Sequence, residues 1–365
     1  MSALLGEQQM NAHQLKVIFF RTFPGNIYKK YRRRYLETKK IDRFLQLHHI
    51  QDDKIVPDIY DSVRKYHMTI EEYFQFGFYR LPPDERKEFV PDRERFLLCD
   101  RMNKGENRIL FDNKALTYGK FQQFYKREVL GVDILGHEKF NQVLSRYAGK
   151  VKAFLQRHHE FILKPIDGSL GAGVSLWNVD DTVSDQVVEK LLKTFVKKNK
   201  GGFVLEEKIC QVPKMAELHP KSVNTVRMNT VRFDDRIEVL HPFLRIGRGD
   251  SIVDNAGAGG IIATLDENGR VKAAADENGV FYDRLDDIGL DIIGWQVPCW
   301  KEMVDFVKQL AMVIPSNRYT GWDIALTDKG WCMVEGNTRA QFVWQIPDRV
   351  GFRSEINNIL AELGL

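Results

Sequence analysis

Residues 161–177 read FILKPIDGSLGAGVSLW, an apolar run that ends in a lysine, then a glycine-rich loop, then a second apolar run. Phe161 to Lys164 predicts a strand that stops at Pro165, and residues 174–177 predict another, so the loop has strands on both sides. Glycine lets several backbone N–H groups point at one anion, and Lys164 can supply positive charge to the same anion. A Walker loop would need Gly-Lys-Ser/Thr, and a Rossmann fingerprint would need a following helix. A hairpin with a flexible glycine turn explains these residues equally well.

The sequence around this segment mixes helical and strand patterns. From about Arg108, short β-rich runs are separated by glycine turns and by amphipathic stretches such as residues 187–197. The first hundred residues instead place apolar side chains at helical spacing. There, Thr69 followed by Glu72 predicts a capping box that starts a helix. We therefore predict an α+β fold with a helical N-terminal region.

The composition is that of an ordinary soluble protein. With 365 residues, 43% apolar and 28% charged, the chain is neither disordered nor collagen-like, and it has room for two or three packed units. Four cysteines without a C-x-x-C pair indicate neither a disulfide framework nor a zinc knuckle. Because no apolar run reaches the length of a signal-peptide core or a membrane span, we expect a cytoplasmic protein.

A predicted hairpin near the C-terminus brings two acidic residues together. A three-residue loop at 328–330, with glycine in the left-handed conformation, would pair Thr327 with Trp331. Counting outward along the strands then places Asp323 opposite Glu335.

Side chains alternate along a strand, so Asn337 would return to the face of Glu335. Two carboxylates and an amide carbonyl form an all-oxygen set of the kind that Mg²⁺ prefers, with phosphate oxygens completing the octahedron. An edge-strand salt bridge with neighbouring lysines is the simpler alternative for Asp323 and Glu335.

Strand arginines form a third group. Arg227 and Arg245 lie on strand-like runs, where a planar guanidinium can stabilise charge on a transferring phosphoryl group. Arg232 is predicted to be a surface charge. The glycine-rich residues 255–260 could let backbone approach an anionic ligand, although a plain flexible loop is the more common outcome.

The order of these pieces resembles the ATP-grasp superfamily, and within it the sugar-transfer-associated ATP-grasp group. The resemblance covers about residues 109–345. It rests on the ordered motifs Lys164-Pro165 with the glycine loop, Val204-Leu205-Glu206-Glu207, Asn224 to Arg227, Asp254-Asn255 with Gly259-Gly260, Gly321-Trp322-Asp323 and Glu335-Gly336-Asn337.

The resemblance implies an ATP-grasp fold and a role for each matching residue. It divides the chain into a helical, basic region at 1–107, a first lobe at 108–205 and a second lobe at 206–365. The implied nucleotide-binding residues are Lys114 and Lys164 at the phosphates, Gly168, Ser169, Gly171 and Gly173 in the loop over them, and Glu206, Glu207 and Ile209 at the adenine hinge. The implied magnesium ligands are Asp323, Glu335 and Asn337, and the implied catalytic arginines are Arg227 and Arg245. For the ribose, Gln211 and Glu217 both remain candidates.

The implied reaction uses ATP and Mg²⁺ to join a carboxylate to an amine through an acyl phosphate. The group's association with sugar transfer suggests a sugar acid or glycan precursor of polysaccharide biosynthesis as substrate. Two alternatives remain: a phosphotransferase acting on a hydroxyl, with Asp254 or His241 as base, and a non-catalytic nucleotide-binding scaffold of a polysaccharide complex.

The N-terminal region carries a separate signal. The first 50 residues hold ten Lys or Arg against three Asp or Glu, and Lys29 to Arg34 form the centre of that excess. Tyr28, Tyr31 and Tyr35 interleave with these charges, a composition that could dock on an anionic membrane. A solvated helix face is the alternative, and nucleic acid is not expected because the remainder of the chain is net acidic.

Overall fold

The structure is a computed structural model that describes residues 25–52, 54–103, 105–134, 136, 138–167, 172–251, 254 and 259–365, with the backbone alone for 25–28 and 106. The chain divides into two compact units, one ending at Phe74 and one running from Gln75 to Leu365. The described part combines helices with antiparallel sheets, as the sequence predicted. The three-part division at 107/108 and 205/206 stays a prediction.

The first unit is helical. Its three described helices are α1 (Gly25–Leu47), α2 (Ile55–Tyr66) and α3 (Ile70–Gln75). The predicted capping box starts α3, since Glu72 N donates to Thr69 Oγ1 (3.1 Å) and Thr69 N donates to the Glu72 carboxylate (2.7 Å). Phe44 of α1 stacks on Phe74 of α3 with ring centroids 4.9 Å apart, which fixes the two helices against each other.

The second unit combines helices with two large sheets and one two-stranded sheet. Its helices are α4 (Pro83–Arg86), α5 (Asp92–Met102), α6 (Ile109–Asp112), α7 (Lys114–Tyr125), α8 (Phe140–Arg157), α9 (Asp185–Lys198), α10 (Pro213–Ala216), α11 (Trp300–Met312), α12 (Gln345–Asp348) and α13 (Arg353–Glu362), with 3₁₀ turns at Phe78–Arg80 and Gly105–Asn107. None of the helices among the described residues combines the length and the apolar character needed to cross a membrane.

The first sheet has four antiparallel strands and carries the glycine loop. In spatial order they are β1 (Val129–Asp133), β4 (Gly202–Glu207), β2 (Glu160–Pro165) and β3 (Ser175–Asn178). The strands β2 and β3 pair directly, with Leu163 opposite Ser175, so the predicted strand, loop and strand arrangement is confirmed. The amphipathic helices α8 and α9 bury Phe154 and Phe195 against this sheet.

The second sheet has six antiparallel strands. In spatial order they are β12 (Gly330–Asn337), β11 (Tyr319–Thr327), β5 (Thr225–Arg232), β6 (Ile237–Ile246), β7 (Ile261–Leu265) and β8 (Val271–Asp276), and β9 (Arg284–Leu285) pairs separately with β10 (Leu290–Asp291). Helix α11 packs Met303, Val307 and Leu310 into the core of this sheet. The central strands β5 and β11 are buried along almost their whole length, so their polar residues need partners inside the protein.

The hairpin of β11 and β12 corrects one sequence prediction. Thr327 pairs with Gly330 and not with Trp331, although Gly330 does take the predicted left-handed conformation with φ of +85°. The register then shifts between Asp323 and Ile324, so β12 contains one extra residue. This bulge offsets the shorter turn, and the predicted pairing of Asp323 with Glu335 is confirmed.

Candidate active site

A cavity of about 620 Å³ lies in the second unit, lined by residues of both sheets. Strands β2, β3 and β4 supply one wall, and strands β5, β6, β11 and β12 supply the other. The polar residues that line it include Lys114, Lys164, Glu206, Glu207, Lys208, Gln211, Lys221, Ser222, Thr225, Arg245, Asp254, Asp323 and Glu335. Ionisable groups of both signs therefore meet in a partly apolar enclosure, as expected of a ligand site.

A buried carboxylate organises the wall formed by the first sheet. Lys164 of β2 donates to Glu206 Oε2 of β4 at 2.8 Å, because the two strands are antiparallel neighbours. Arg127 donates to the same oxygen at 2.9 Å through Nη2. Burial by itself would raise the pKa of Glu206, but the charges of Lys164 and Arg127 outweigh it and lower the pKa to about 2. Glu206 is therefore ionised at any physiological pH.

Lys114 stands at the first turn of α7. Asn113 caps that helix by accepting from the N–H groups of Ala115 and Leu116, and Lys114 N donates to Ile166 O at 2.9 Å. Burial lowers the pKa of Lys114, and the nearby charge of Lys164 acts in the same direction. An anion placed between the two ammonium groups would offset both effects.

The opposite wall holds a network of buried charges. Arg227 of β5 donates to both oxygens of Asp323, at 2.6 and 2.8 Å, and Arg245 of β6 donates to Asp323 Oδ2 at 2.6 Å. Burial would raise the pKa of Asp323, but these two guanidinium groups lower it to about 2. On its other side Arg245 lies 3.3 Å from Asp254, whose carboxylate also accepts from the backbone N–H and the hydroxyl of Thr225.

The carboxylate of Glu335 differs from that of Asp323 because it has no hydrogen bond or ion pair with any side chain or backbone group that the structure describes. It is nevertheless half-buried, and burial together with the charge of Asp323 raises its pKa. A cation bound beside Glu335 would offset both the burial of this carboxylate and the charge of Asp323. An ionised carboxylate offers about four acceptor sites, and the arginines use three of those on Asp323, so both carboxylates can contribute an oxygen to Mg²⁺. The described residues contain no group of three His, Cys, Asp or Glu that could hold a metal, but Mg²⁺ bound with nucleotide needs only one or two carboxylates.

Among the other predicted site residues, some line the cavity and one does not. Asn337 is exposed and is not among the residues that line the cavity; its Oδ1 accepts from Arg339 N at 2.8 Å. Glu207 and Ile209 do line the cavity at the end of β4. The carboxylate of Glu207 accepts from the backbone N–H of Glu128 at 2.9 Å, so it faces the neighbouring chain segment.

The glycine loop lies mostly outside the described residues. Gly168, Ser169 and Gly171 belong to the undescribed segment, and so do residues 255–258 of the second glycine-rich stretch. Gly173 is described and has φ of +76°, and a Cβ there would lie 2.7 Å from the ring of Pro165. Glycine at this position therefore allows the chain to pass close to the end of β2.

Two further sequence candidates, His241 and Glu217, lie away from the cavity lining. His241 stacks on Trp344 at 4.9 Å and its ring contacts Glu355 at 2.9 Å. Glu217 interacts with Lys214 and with Trp295 Nε1. Of the two ribose candidates, only Gln211 lines the cavity, where it accepts from Asn224 N and donates to Ser222 O.

Arg127 is the residue that sequence analysis missed. It lies between α7 and β1, its side chain is only 4% exposed, and it belongs to no glycine motif or paired-carboxylate pattern. A single arginine in front of a short strand is usually a surface charge, so no local signal distinguished it. Its carboxylate partner, Glu206, is 79 positions later in the sequence.

The family comparison fits this geometry. A sequence profile described as "Sugar-transfer associated ATP-grasp" matches residues 93–361. The chain belongs to this family. The match covers both sheets and all the described residues that line the cavity.

Several solved structures are similar to this chain at low sequence identity. The D-alanyl-alanine synthetase A from Vibrio cholerae shares 8% identity over 70% of this chain and 64% of that chain, with a TM-score of 0.39. The ATP-grasp ligase PsnB complexed with minimal precursor shares 14% identity over 72% of this chain and 63% of that chain, with a TM-score of 0.41. A carboxyaminoimidazole ribonucleotide synthase from Aspergillus clavatus complexed with ATP shares 10% identity over 70% of this chain and 54% of that chain, also with a TM-score of 0.41. This chain thus spans less than two thirds of the length of each of these proteins. No curated protein matches its sequence.

Proposed function

We propose that this ATP-grasp protein is an ATP-dependent carboxylate–amine ligase that works through an acyl phosphate. The observation that carries the proposal is one cavity lined by Lys114 and Lys164 together with Arg245, Asp323 and Glu335. The lysines are suited to nucleotide phosphates, and the second wall is suited to the charge that develops on a transferred phosphoryl group. We assign Arg227 to that wall because it holds Asp323.

In the first step, an oxygen of the substrate carboxylate attacks the γ-phosphorus of ATP, and the bond to the β,γ-bridging oxygen breaks to release ADP. Lys114 and Lys164 would bind the phosphates, and Arg245 would stabilise the extra negative charge at the transferring group. Asp323 and Glu335 would hold Mg²⁺, which supplies charge neutralisation between the phosphates when it is bound.

In the second step, the amine attacks the acyl carbon, phosphate leaves and the nitrogen loses a proton. This sequence requires no protein nucleophile. Positioning and electrostatic stabilisation are enough, which suits a cavity rich in Lys, Arg and carboxylates. The acid is proposed to be a sugar acid or glycan precursor of polysaccharide biosynthesis, in line with the description of the family.

A phosphotransferase is the second candidate, because the same nucleotide site could serve a hydroxyl acceptor. Such a reaction favours a general base beside the acceptor. His241 is away from the cavity lining, and Asp254 is held by Arg245 and by Thr225. These contacts favour the ligase over the phosphotransferase.

The deciding experiment incubates the purified protein with ATP, Mg²⁺ and pools of sugar acids and amino acids. ADP release is followed with a coupled assay, and products are identified by mass spectrometry. An amide supports the ligase, whereas a phosphorylated alcohol supports the phosphotransferase. Nucleotide binding without ADP release in any pool would support the scaffold.

The first half of α1 is proposed to contact anionic membrane. Residues 29–40 carry seven Lys or Arg against one Glu, and Tyr35 and Leu36 are 58% and 52% exposed. Ile41 and Phe44, further along the same helix, are buried. Tyrosine beside positive charge suits the interface of an anionic bilayer. Each basic residue near the surface would contribute about 1 kcal/mol to the free energy of membrane binding.

A further inference from the structure

Three hydrogen bonds converge on one oxygen at the first wall of the cavity. Glu206 Oε2 accepts from Lys164 Nζ at 2.8 Å, from Arg127 Nη2 at 2.9 Å and from Arg127 Nε at 3.3 Å. The carboxylate side chain is 5% exposed, so its charge must be compensated inside the protein. Lys164 and Arg127 together supply the compensating positive charge.

The position of Arg127 is fixed independently of Glu206. Its Nη1 donates to Met333 O of β12 at 2.6 Å and to Tyr125 O at 3.3 Å. The guanidinium also lies over the ring of Tyr125, 4.6 Å from its centroid. Arg127 is therefore held between the two sheets, and it is not among the residues that line the cavity.

We propose that Arg127 is a positioning residue that keeps Lys164 available for nucleotide phosphate by supplying the second counter-charge to Glu206. With Arg127 in place, the carboxylate is compensated when Lys164 turns its charge toward an anion. Without Arg127, Lys164 would be the only cation bonded to a buried carboxylate, and phosphate would have to compete with it. This inference rests on the proposed nucleotide site.

The same geometry explains why a lysine cannot fully replace the arginine. The planar fork of Arg127 reaches Glu206 and the two carbonyl oxygens at once, whereas a lysine amine is a single point of charge. A lysine would still compensate Glu206. It thus separates the effect of charge from the effect of the bonds to Tyr125 and Met333.

The test measures binding of ADP with Mg²⁺ by isothermal titration calorimetry in the full chain. Arg127→Gln should weaken ADP binding about tenfold or more, in the range for a charge-assisted phosphate contact. Binding of adenosine, which has no phosphate, should change far less. Adding Glu206→Gln to Arg127→Gln should restore much of the lost ADP affinity, because the carboxylate that captures Lys164 is then neutral.

Two further variants complete the design. Arg157→Gln breaks an exposed ion pair with Glu128 in the same lobe and should bind ADP as the parent does. Arg127→Lys should keep most of the ADP affinity. If Arg127→Gln does not fold, Glu206→Gln is compared with the double variant, and the two should bind ADP equally; a markedly weaker ADP affinity in the double variant would overturn the proposal. Equal ADP affinity of the parent and Arg127→Gln would overturn the proposal, and so would a loss in Arg127→Lys as large as in Arg127→Gln. A parent that binds neither ADP nor ATP would instead overturn the proposed function itself.

Discussion

Asp323 and Glu335 lie opposite each other on β11 and β12 because the bulge in β12 offsets a turn that is one residue shorter than expected. The surroundings of the two carboxylates shift their pKa values in opposite directions. The guanidinium groups of Arg227 and Arg245 lower the pKa of Asp323, whereas burial and the charge of Asp323 raise the pKa of Glu335. One carboxylate is therefore already compensated by the protein, and the other is suited to an added cation.

Glu335→Gln should abolish turnover and leave the fold intact. The substitution removes one negative charge at the proposed magnesium site with little change in volume. ADP release at saturating Mg²⁺ is the measurement, with circular dichroism as the check on folding. Glu302→Gln, on the exposed side of α11, is the matched control. Unchanged activity in Glu335→Gln would make Glu335 a structural residue.

The same substitution should have a pH-dependent effect on stability in the absence of Mg²⁺. Since the folded protein has a raised pKa at Glu335, ionisation of that group costs stability. The cost is absent below the unfolded pKa of about 4.3, it grows as pH rises toward the folded pKa, and it is complete above that value. Glu335→Gln should therefore be more stable than the parent at neutral pH, and the difference should vanish in acid. Urea unfolding across this pH range measures it, and a difference that grows toward acid would contradict it.

Lys164→Met should weaken ATP binding by roughly 1.5–3 kcal/mol, the range for hydrogen bonds to charged groups. The loss has a second consequence, because Glu206 would keep only Arg127 as its counter-charge. Calorimetric titration with ATP and Mg²⁺ provides the affinity. Lys152→Met, which breaks a surface ion pair with Asp185, serves as the control. Equal affinity in all three proteins would remove Lys164 from the phosphate site.

ATP and Mg²⁺ should slow amide exchange across residues 166–173. Apart from Ile166 and Leu170, this stretch has no large apolar side chain to anchor it, so phosphate contacts to its N–H groups would supply ordering energy. Hydrogen exchange with mass spectrometry measures the effect, and the turn at 266–269 provides a reference segment. Equal protection with and without nucleotide would leave only a structural role for the glycines.

Neutralising the basic stretch of α1 should abolish binding to anionic vesicles. The variant replaces Lys29, Lys30, Arg32, Arg33 and Arg34 with Gln, and co-sedimentation is compared for anionic and neutral vesicles. A control variant that also loses five positive charges carries Lys→Gln changes at Lys190, Lys193, Lys197, Lys198 and Lys200, in and just after α9. Equal binding of the α1 variant and the parent would exclude the membrane role.

Local patterns in the sequence determined much of the framework. The capping box of α3, the strands on both sides of the glycine loop and the pairing of Asp323 with Glu335 depend on residues close together in the chain. Hydrophobic alternation, turn glycines and cap residues encode such features directly. Even there, the predicted pairing of Thr327 with Trp331 was wrong, because the turn is one residue shorter than predicted, and the bulge that offsets it has no signature of its own among the residues of β12.

The tertiary structure alone decided which charges meet. Arg245 reaches both Asp254 and Asp323 because β6 lies near β11 in the second sheet, and Asn337 is left outside the cavity lining where β12 ends. Arg127 and Glu206 come together across 79 positions, and each offsets the buried charge of the other. A buried ion pair is a property of two distant segments at once, so no pattern within either segment could predict it.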